Sequence, residues 1–158
     1  MSLLTRMSDY TLWADAEIWK IVKELTDEEF CCTPNDNSGS IRDRYIHMAF
    51  GHSHWYNRWL GLEHEEIAID ELSREGLFKR LMHFNRLIMD LNHNNSSDAI
   101  AISIGTGDIT IRQDEMIFNI LNHATYHRGQ IVALLRALGK EVKPTDYVPY
   151  LLDCQSHL

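Results

Sequence analysis

The chain has 158 residues, 44% hydrophobic and 24% charged, with three prolines and eight glycines, which fits one globular domain spanning residues 1–158. Folding at this length buries roughly 70% of the unfolded chain's surface, so a core is available without disulfides. Fifteen basic against 23 acidic residues give a net charge of −8, which argues against nucleic acid or an anionic membrane as the main partner.

The first predicted helix runs from about Ser2 to Leu25. Met7, Tyr10, Ala14, Glu17 and Ile21 recur at alternating steps of three and four, with Leu4, Ile18 and Leu25 alongside, as a bundle core requires. Leu12 and Trp19 lie roughly opposite that stripe, so a cover is expected there, either a second copy in a homodimer or the C-terminal tail. Thr26-Asp27-Glu28-Glu29 reads as a capping box opening a short helical turn, and Pro34 to Gly39 reads as a loop. Ser40 with Asp43 caps a second long helix that ends at Gly61, with Ile41, Tyr45, Met48, His52, Trp55 and Trp59 as its stripe. A third helix is predicted over about Asp70 to Asn92, followed by a polar loop through Ser97.

The β-branched runs at 100–104 and 109–111 flank Gly105-Thr106-Gly107-Asp108 and predict a small hairpin. The last long helix runs from about Arg112 to Leu138 and stops at Gly139, and Pro144 and Pro149 predict a largely extended tail. Four helices of about twenty residues predict an all-α four-helix bundle with a β-hairpin between the third and fourth; spacing alone leaves its connectivity open.

The cysteines, Cys31, Cys32 and Cys154, have no disulfide-framework spacing, which with the absence of a signal peptide or membrane-length apolar run predicts a reduced, cytoplasmic protein. Cys154 reads most simply as a small buried apolar residue.

Nine histidines are the unusual count, and two of them carry chemistry. Ile117, Ile120, Ala124, His127, Ile131, Leu134 and Leu138 step by three and four, so His127 sits where a bundle expects an aliphatic side chain. His123 lies one turn earlier on the same face. Such an i, i+4 pair presents two imidazoles to one point, the spacing of zinc-binding helices, but a metal needs a third ligand. The second helix offers His47, His52 and His54, and spacing chooses among them weakly. His64, His83, His93 and His157 fall in loop, polar-face or tail positions that read as solvated surface.

The segment Asn122-His123-Ala124-Thr125-Tyr126-His127-Arg128-Gly129-Gln130, with Ile46-His47-Met48 followed by Trp55, resembles the DinB family. Tyr10-Thr11-Leu12-Trp13-Ala14 and Thr145-Asp146-Tyr147-Val148-Pro149-Tyr150-Leu151 resemble that family's ends, so the resemblance covers essentially the whole chain. It implies an up-down-down-up bundle, a homodimer, and a divalent metal, zinc or nickel, held by His47, His123 and His127. It also implies Tyr10, Trp13, Trp55 and Tyr147 as walls of a substrate pocket, an aromatic core being the alternative for the same residues. Tyr126 stands where the family often has a further histidine.

Three neutral imidazoles leave a coordination position open, as catalytic sites do. The activity this implies is transfer of a low-molecular-weight thiol onto a small-molecule substrate; metal-dependent hydrolysis with the same ligands, and a non-catalytic metal-binding stress protein, are the alternatives. Asp9, Glu17 and Asp146 are candidates for a general base by position only. Arg128 reads as a bundle-edge residue paired to an acid, and Gly129 as a point of close helix approach. The acidic balance and the lack of a basic stripe disfavour DNA binding.

Overall fold

A computed structural model describes residues 2–33, 39–63, 68–69, 72–93, 98–104 and 107–156. Helix α1 (Leu3–Val22) is followed by the single turn α2 (Asp27–Cys31), then α3 (Ile41–Leu60) and α4 (Arg74–His93). Strands β1 (Ala99–Ile104) and β2 (Gly107–Arg112) lead into α5 (Gln113–Ala137), and α6 (Tyr147–Ser156) closes the chain. The predicted loop residues 34–38 and 94–97, the hairpin residues 105–106, Asp70, His64 and His157 lie outside the described residues.

Local chemistry sets the helix ends. Ser2 caps α1 by accepting from the Thr5 amide, and both capping boxes form, Thr26 with Glu29 and Ser40 with Asp43. Gly61 ends α3 at φ 65°, a left-handed conformation that costs glycine no Cβ clash.

Side-chain pairs give the helix directions. Thr5 meets Asn92 and Asp15 meets Asn85, so α1 and α4 are antiparallel. Phe50 lies against Arg80 and His52 against Asn85, so α3 and α4 run together. His47 faces His127 while His52 faces His123, which makes α5 antiparallel to α3, and α5 is therefore parallel to α1. The connectivity is up-down-down-up. The hairpin pairs Ala99 with Arg112 through Ile104 with Gly107, and buries Ile102 and Ile111 against α5.

The core is two apolar clusters separated by a polar layer. One joins Ile18, Val22, Tyr45, Leu77, Leu81, Ile131 and Leu135. The other joins Ile88, Ile102, Ile111, Met116, Ile117 and Ile120 at the hairpin end. Between them in sequence on α1, α3 and α4 stand Asp15, His52 and Asn85, and Arg128 joins them from α5 by pairing with Asp15; all four are buried.

Three expectations change. The tail is helical rather than extended, because Pro149 occupies the first turn of α6, where its missing N–H has no intrahelical acceptor to lose. Tyr147 and Tyr150, three apart on that helix, then dock on Tyr10, at ring separations of 5.5 and 5.8 Å. Trp19 is covered within its own chain: it stacks on Phe78 at 4.3 Å and meets the edge of Tyr45. Cys154 is exposed because α6 lies on the surface with no buried residue; all three cysteines are free.

Candidate metal centre

The four-residue spacing on α5 stacks His123 and His127, and the antiparallel α3 brings His47 opposite them. The Nε2 atom of His123 lies 3.0 Å from Nε2 of His47 and 3.0 Å from Nε2 of His127. The three ligand atoms all fall within 4.8 Å of one another. Two imidazole nitrogens bound to one metal at about 2.1 Å stand roughly 3.0–3.4 Å apart, so the observed approach fits a shared ion. His127 is buried, His123 half-buried and His47 exposed, so the cluster opens to solvent on the α3 side.

Each imidazole must present a lone pair rather than a proton. Nδ1 of His127 donates to Oε1 of Gln130 at 2.7 Å, which places the proton on Nδ1 and leaves Nε2 bare. Burial, with the positive potential of His127 and His47, holds His123 down at about 4, and burial also lowers His127. Both are therefore neutral at pH 7 and need lose no proton to accept a metal. His52 is held down to about 3, chiefly by burial.

Beneath the cluster runs the buried polar layer. Arg128 pairs with Asp15 at 3.2 Å and donates to Thr125 at 2.9 Å, and its guanidinium lies 5.2 Å from the Tyr10 ring. Asp15 accepts from Nδ2 of Asn85 at 2.7 Å, and Oδ1 of Asn85 faces Nδ1 of His52 at 2.8 Å. Burial pushes the Asp15 carboxyl up, opposed by Arg128, and because a buried guanidinium cannot shed its proton the pair stays ionised at neutral pH.

The family model described as DinB family matches residues 1–154. The chain belongs to the DinB family. It is 26% identical over 158 residues, 92% of each chain, to Protein DinB of Bacillus subtilis (strain 168). Among solved structures it resembles YfiT from Bacillus subtilis with a TM-score of 0.72 at 14% identity, covering 89% of this chain and 91% of that one. YfiT is described as a probable metal-dependent hydrolase with an unusual four-helix bundle topology. A conserved protein from Enterococcus faecalis matches with a TM-score of 0.67, also at 14% identity, over 89% of this chain and 99% of that one. At these identities the two structures speak for the fold.

In this DinB-family chain the aromatic residues implied as pocket walls fall into two groups. Tyr10, Trp13 and Tyr147 join Tyr150 in a cluster between α1 and α6, tied by the Tyr10 hydroxyl donating to the Thr145 carbonyl at 2.8 Å and by Trp13 Nε1 donating to Asp153 at 2.9 Å. Trp55 packs on the hairpin-end apolar cluster. Among the described residues the rings that meet the three histidines are one another, His52 at 6.0 Å from His123, and the exposed Tyr126 at 5.0 Å from His127. His54, His83 and His93 are exposed. Glu17 pairs with Lys20 on the surface, and Asp146 lines a cavity of about 360 Å³ with Arg128 and Arg136.

Arg128 does pair with an acid, but at the centre of the bundle rather than its edge, with 3% of its surface exposed. Gly129 marks no close approach: a Cβ built on it meets nothing within 4 Å. Sequence reasoning missed Gln130 as the orienting partner of His127. Its position three residues after a ligand, within reach of an imidazole, was the available signal. Asn85 gave none, since a lone asparagine on a predicted helix looks like a solvated face.

Proposed function

We propose that this chain is a divalent-metal-dependent enzyme whose ligands are His47, His123 and His127, and that it transfers a low-molecular-weight thiol onto a small electrophilic substrate. The observation that carries the reading is the convergence of three Nε2 atoms in a partly exposed cluster with no carboxylate or cysteine joining them among the described residues. A zinc or nickel ion held there would supply Lewis acidity toward a thiol or water. His127, locked by Gln130, offers a fixed lone pair from the buried side, while the exposure of His47 leaves the approach for a substrate from solvent. No carboxylate contacts the histidines among the described residues, so a nucleophile that ionises readily suits the site. A thiol, with an ordinary pKa near 8.5, needs less assistance than water.

Hydrolysis is the second reading, favoured by the description of YfiT as a probable metal-dependent hydrolase. Protein loaded with zinc or nickel, given a panel of small thiols with a chromogenic electrophile and separately a panel of esters and amides, distinguishes them. Metal-dependent thioether formation is the expected outcome. Ester or amide cleavage without a thiol requirement would replace the transferase with the hydrolase, and inactivity in both panels would leave the metal-binding stress protein. The reading also includes a homodimer, supported by exposed Phe118 on α5 and Val148 and Leu152 on α6, and checked by solution mass.

A further inference from the structure

Four residues below the metal cluster form a one-way hydrogen-bond chain. The Asp15 carboxylate, kept ionised by Arg128, only accepts, so the Asn85 amide group faces it and the Asn85 carbonyl faces His52. That carbonyl also only accepts, so the proton of His52 sits on Nδ1. Nε2 of His52 is left a bare lone pair, fully buried, with no hydrogen-bond partner among the described residues. A buried acceptor in that state is costly, which calls for a donor nearby.

His123 offers one. Its Nε2 points to His47 and His127, so when that nitrogen serves as a ligand the ring proton sits on Nδ1. Nδ1 of His123 has no hydrogen-bond partner among the described residues, whereas Nδ1 of His127 has Gln130. The His52 and His123 rings stand 6.0 Å apart between centroids, with planes tilted by 58°. Directly hydrogen-bonded imidazoles sit at about 5 Å, so closure requires an approach of about 1 Å, within reach of side-chain rotation.

We propose that His52 is a positioning residue: Nε2 of His52 accepts the Nδ1–H of His123, and the chain Arg128–Asp15–Asn85–His52 thereby fixes the tautomer and ring orientation in which His123 presents Nε2 to the metal. His52 does for His123 what Gln130 does for His127, but from the bundle core and through three helices. The inference rests on the metal reading for its purpose and on the buried chain for its geometry.

The test is long-range ¹H–¹⁵N NMR of the imidazoles together with zinc affinity by chelator competition, on wild type, His52→Phe and His52→Gln. Glutamine can donate to Asn85 and still offer a carbonyl oxygen, so it should rescue. Expected are a slowly exchanging Nδ1–H on His123 in wild type, its loss in His52→Phe, zinc affinity about 10–100-fold weaker in His52→Phe, and most of that recovered in His52→Gln. A His123 proton on Nε2 in the metal-free wild type, or His52→Phe that is folded and binds zinc as wild type does, overturns the proposal. The wild-type NMR result decides it even if His52→Phe does not fold. Failure of wild type itself to bind zinc or nickel would instead remove the metal reading, and the tautomer of His123 would still report on the hydrogen bond.

Discussion

Two groups of histidine-containing polar residues lie side by side in this bundle, and they are built on opposite rules. In the buried layer each group faces a complementary one: guanidinium to carboxylate, carboxylate to amide, amide carbonyl to imidazole. In the cluster above it, Nε2 of His123 lies 3.0 Å from Nε2 of His47 and 3.0 Å from Nε2 of His127, like meeting like. An N–H···N bond can satisfy such nitrogens only one pair at a time, whereas a shared cation would satisfy all three lone pairs together. The first arrangement ties four helices together, and the second is the convergence on which the proposed metal site rests.

Removing a member from each group sharpens this difference most. His127→Ala should abolish stoichiometric zinc or nickel binding, read by metal analysis after gel filtration, at a smaller cost in stability, since it truncates a buried imidazole but leaves no charge unpaired. Arg128→Met should do the reverse: it leaves a buried Asp15 carboxylate unpaired and should cost about 3–5 kcal/mol in urea unfolding. Because Asn85 and His52 depend on Asp15, its metal affinity should also fall. The double variant Asp15→Leu/Arg128→Met should regain part of the stability, since no isolated charge remains. If Arg128→Met unfolds at the wild-type urea concentration, the layer is not the registry device its burial implies.

The sequence made the cluster legible because metal ligation has a spacing rule. His123 and His127 at i, i+4 could be found on one helix, and His47 came from resemblance rather than periodicity, which left His52 and His54 open. The layer had no such rule. Asp15, Asn85 and Arg128 lie on three helices, 70 or more residues apart in both pairs that Asp15 makes, and each alone fits a solvated helix face. The tail differs for a related reason: a proline breaks a helix interior, but Pro149 stands two residues into a helix start, where it is harmless. Helix existence, caps and the hairpin were all local signals and could be read directly.

Acid should separate the two groups by a smaller margin. His52 and His123 titrate at about 3 and about 4 when folded, both below the ordinary value near 6.5, so from about pH 6.5 downward the unfolded chain binds more protons than the native one. Their contribution to stability is therefore complete above pH 6.5 and declines as pH falls towards 4. For metal-free protein, a progressive loss of stability over that interval is expected in urea unfolding at each pH, most of it from the fully buried His52. Metal-loaded protein should hold its stability to lower pH, since a bound ion must be displaced before His123 can protonate. Identical pH profiles for the loaded and metal-free protein would place His123 outside the metal's ligands.

Gln130→Leu tests the orienting shell from the open side. It removes the acceptor for Nδ1 of His127 while leaving every core contact of the layer in place, so zinc affinity should fall about 10-fold or more with unfolding shifted by less than about 1 kcal/mol. A larger stability change than affinity change would mean that the His127–Gln130 bond serves the helix rather than the site.

The smallest effect is the one that isolates helix propensity from both groups. Gly129 lies between Arg128 of the layer and Gln130 of the site, yet belongs to neither: it is exposed, helical, and open enough that an added Cβ meets nothing within 4 Å. Glycine in an exposed helix interior is less favourable than alanine by about 0.8–1 kcal/mol, because the backbone gives up more freedom on folding. Gly129→Ala should therefore stabilise the protein by up to about 1 kcal/mol and leave zinc affinity unchanged. A gain in stability accompanied by weaker zinc binding would show that α5 must flex at this point for His123 and His127 to close on an ion, coupling the two groups through the helix they share.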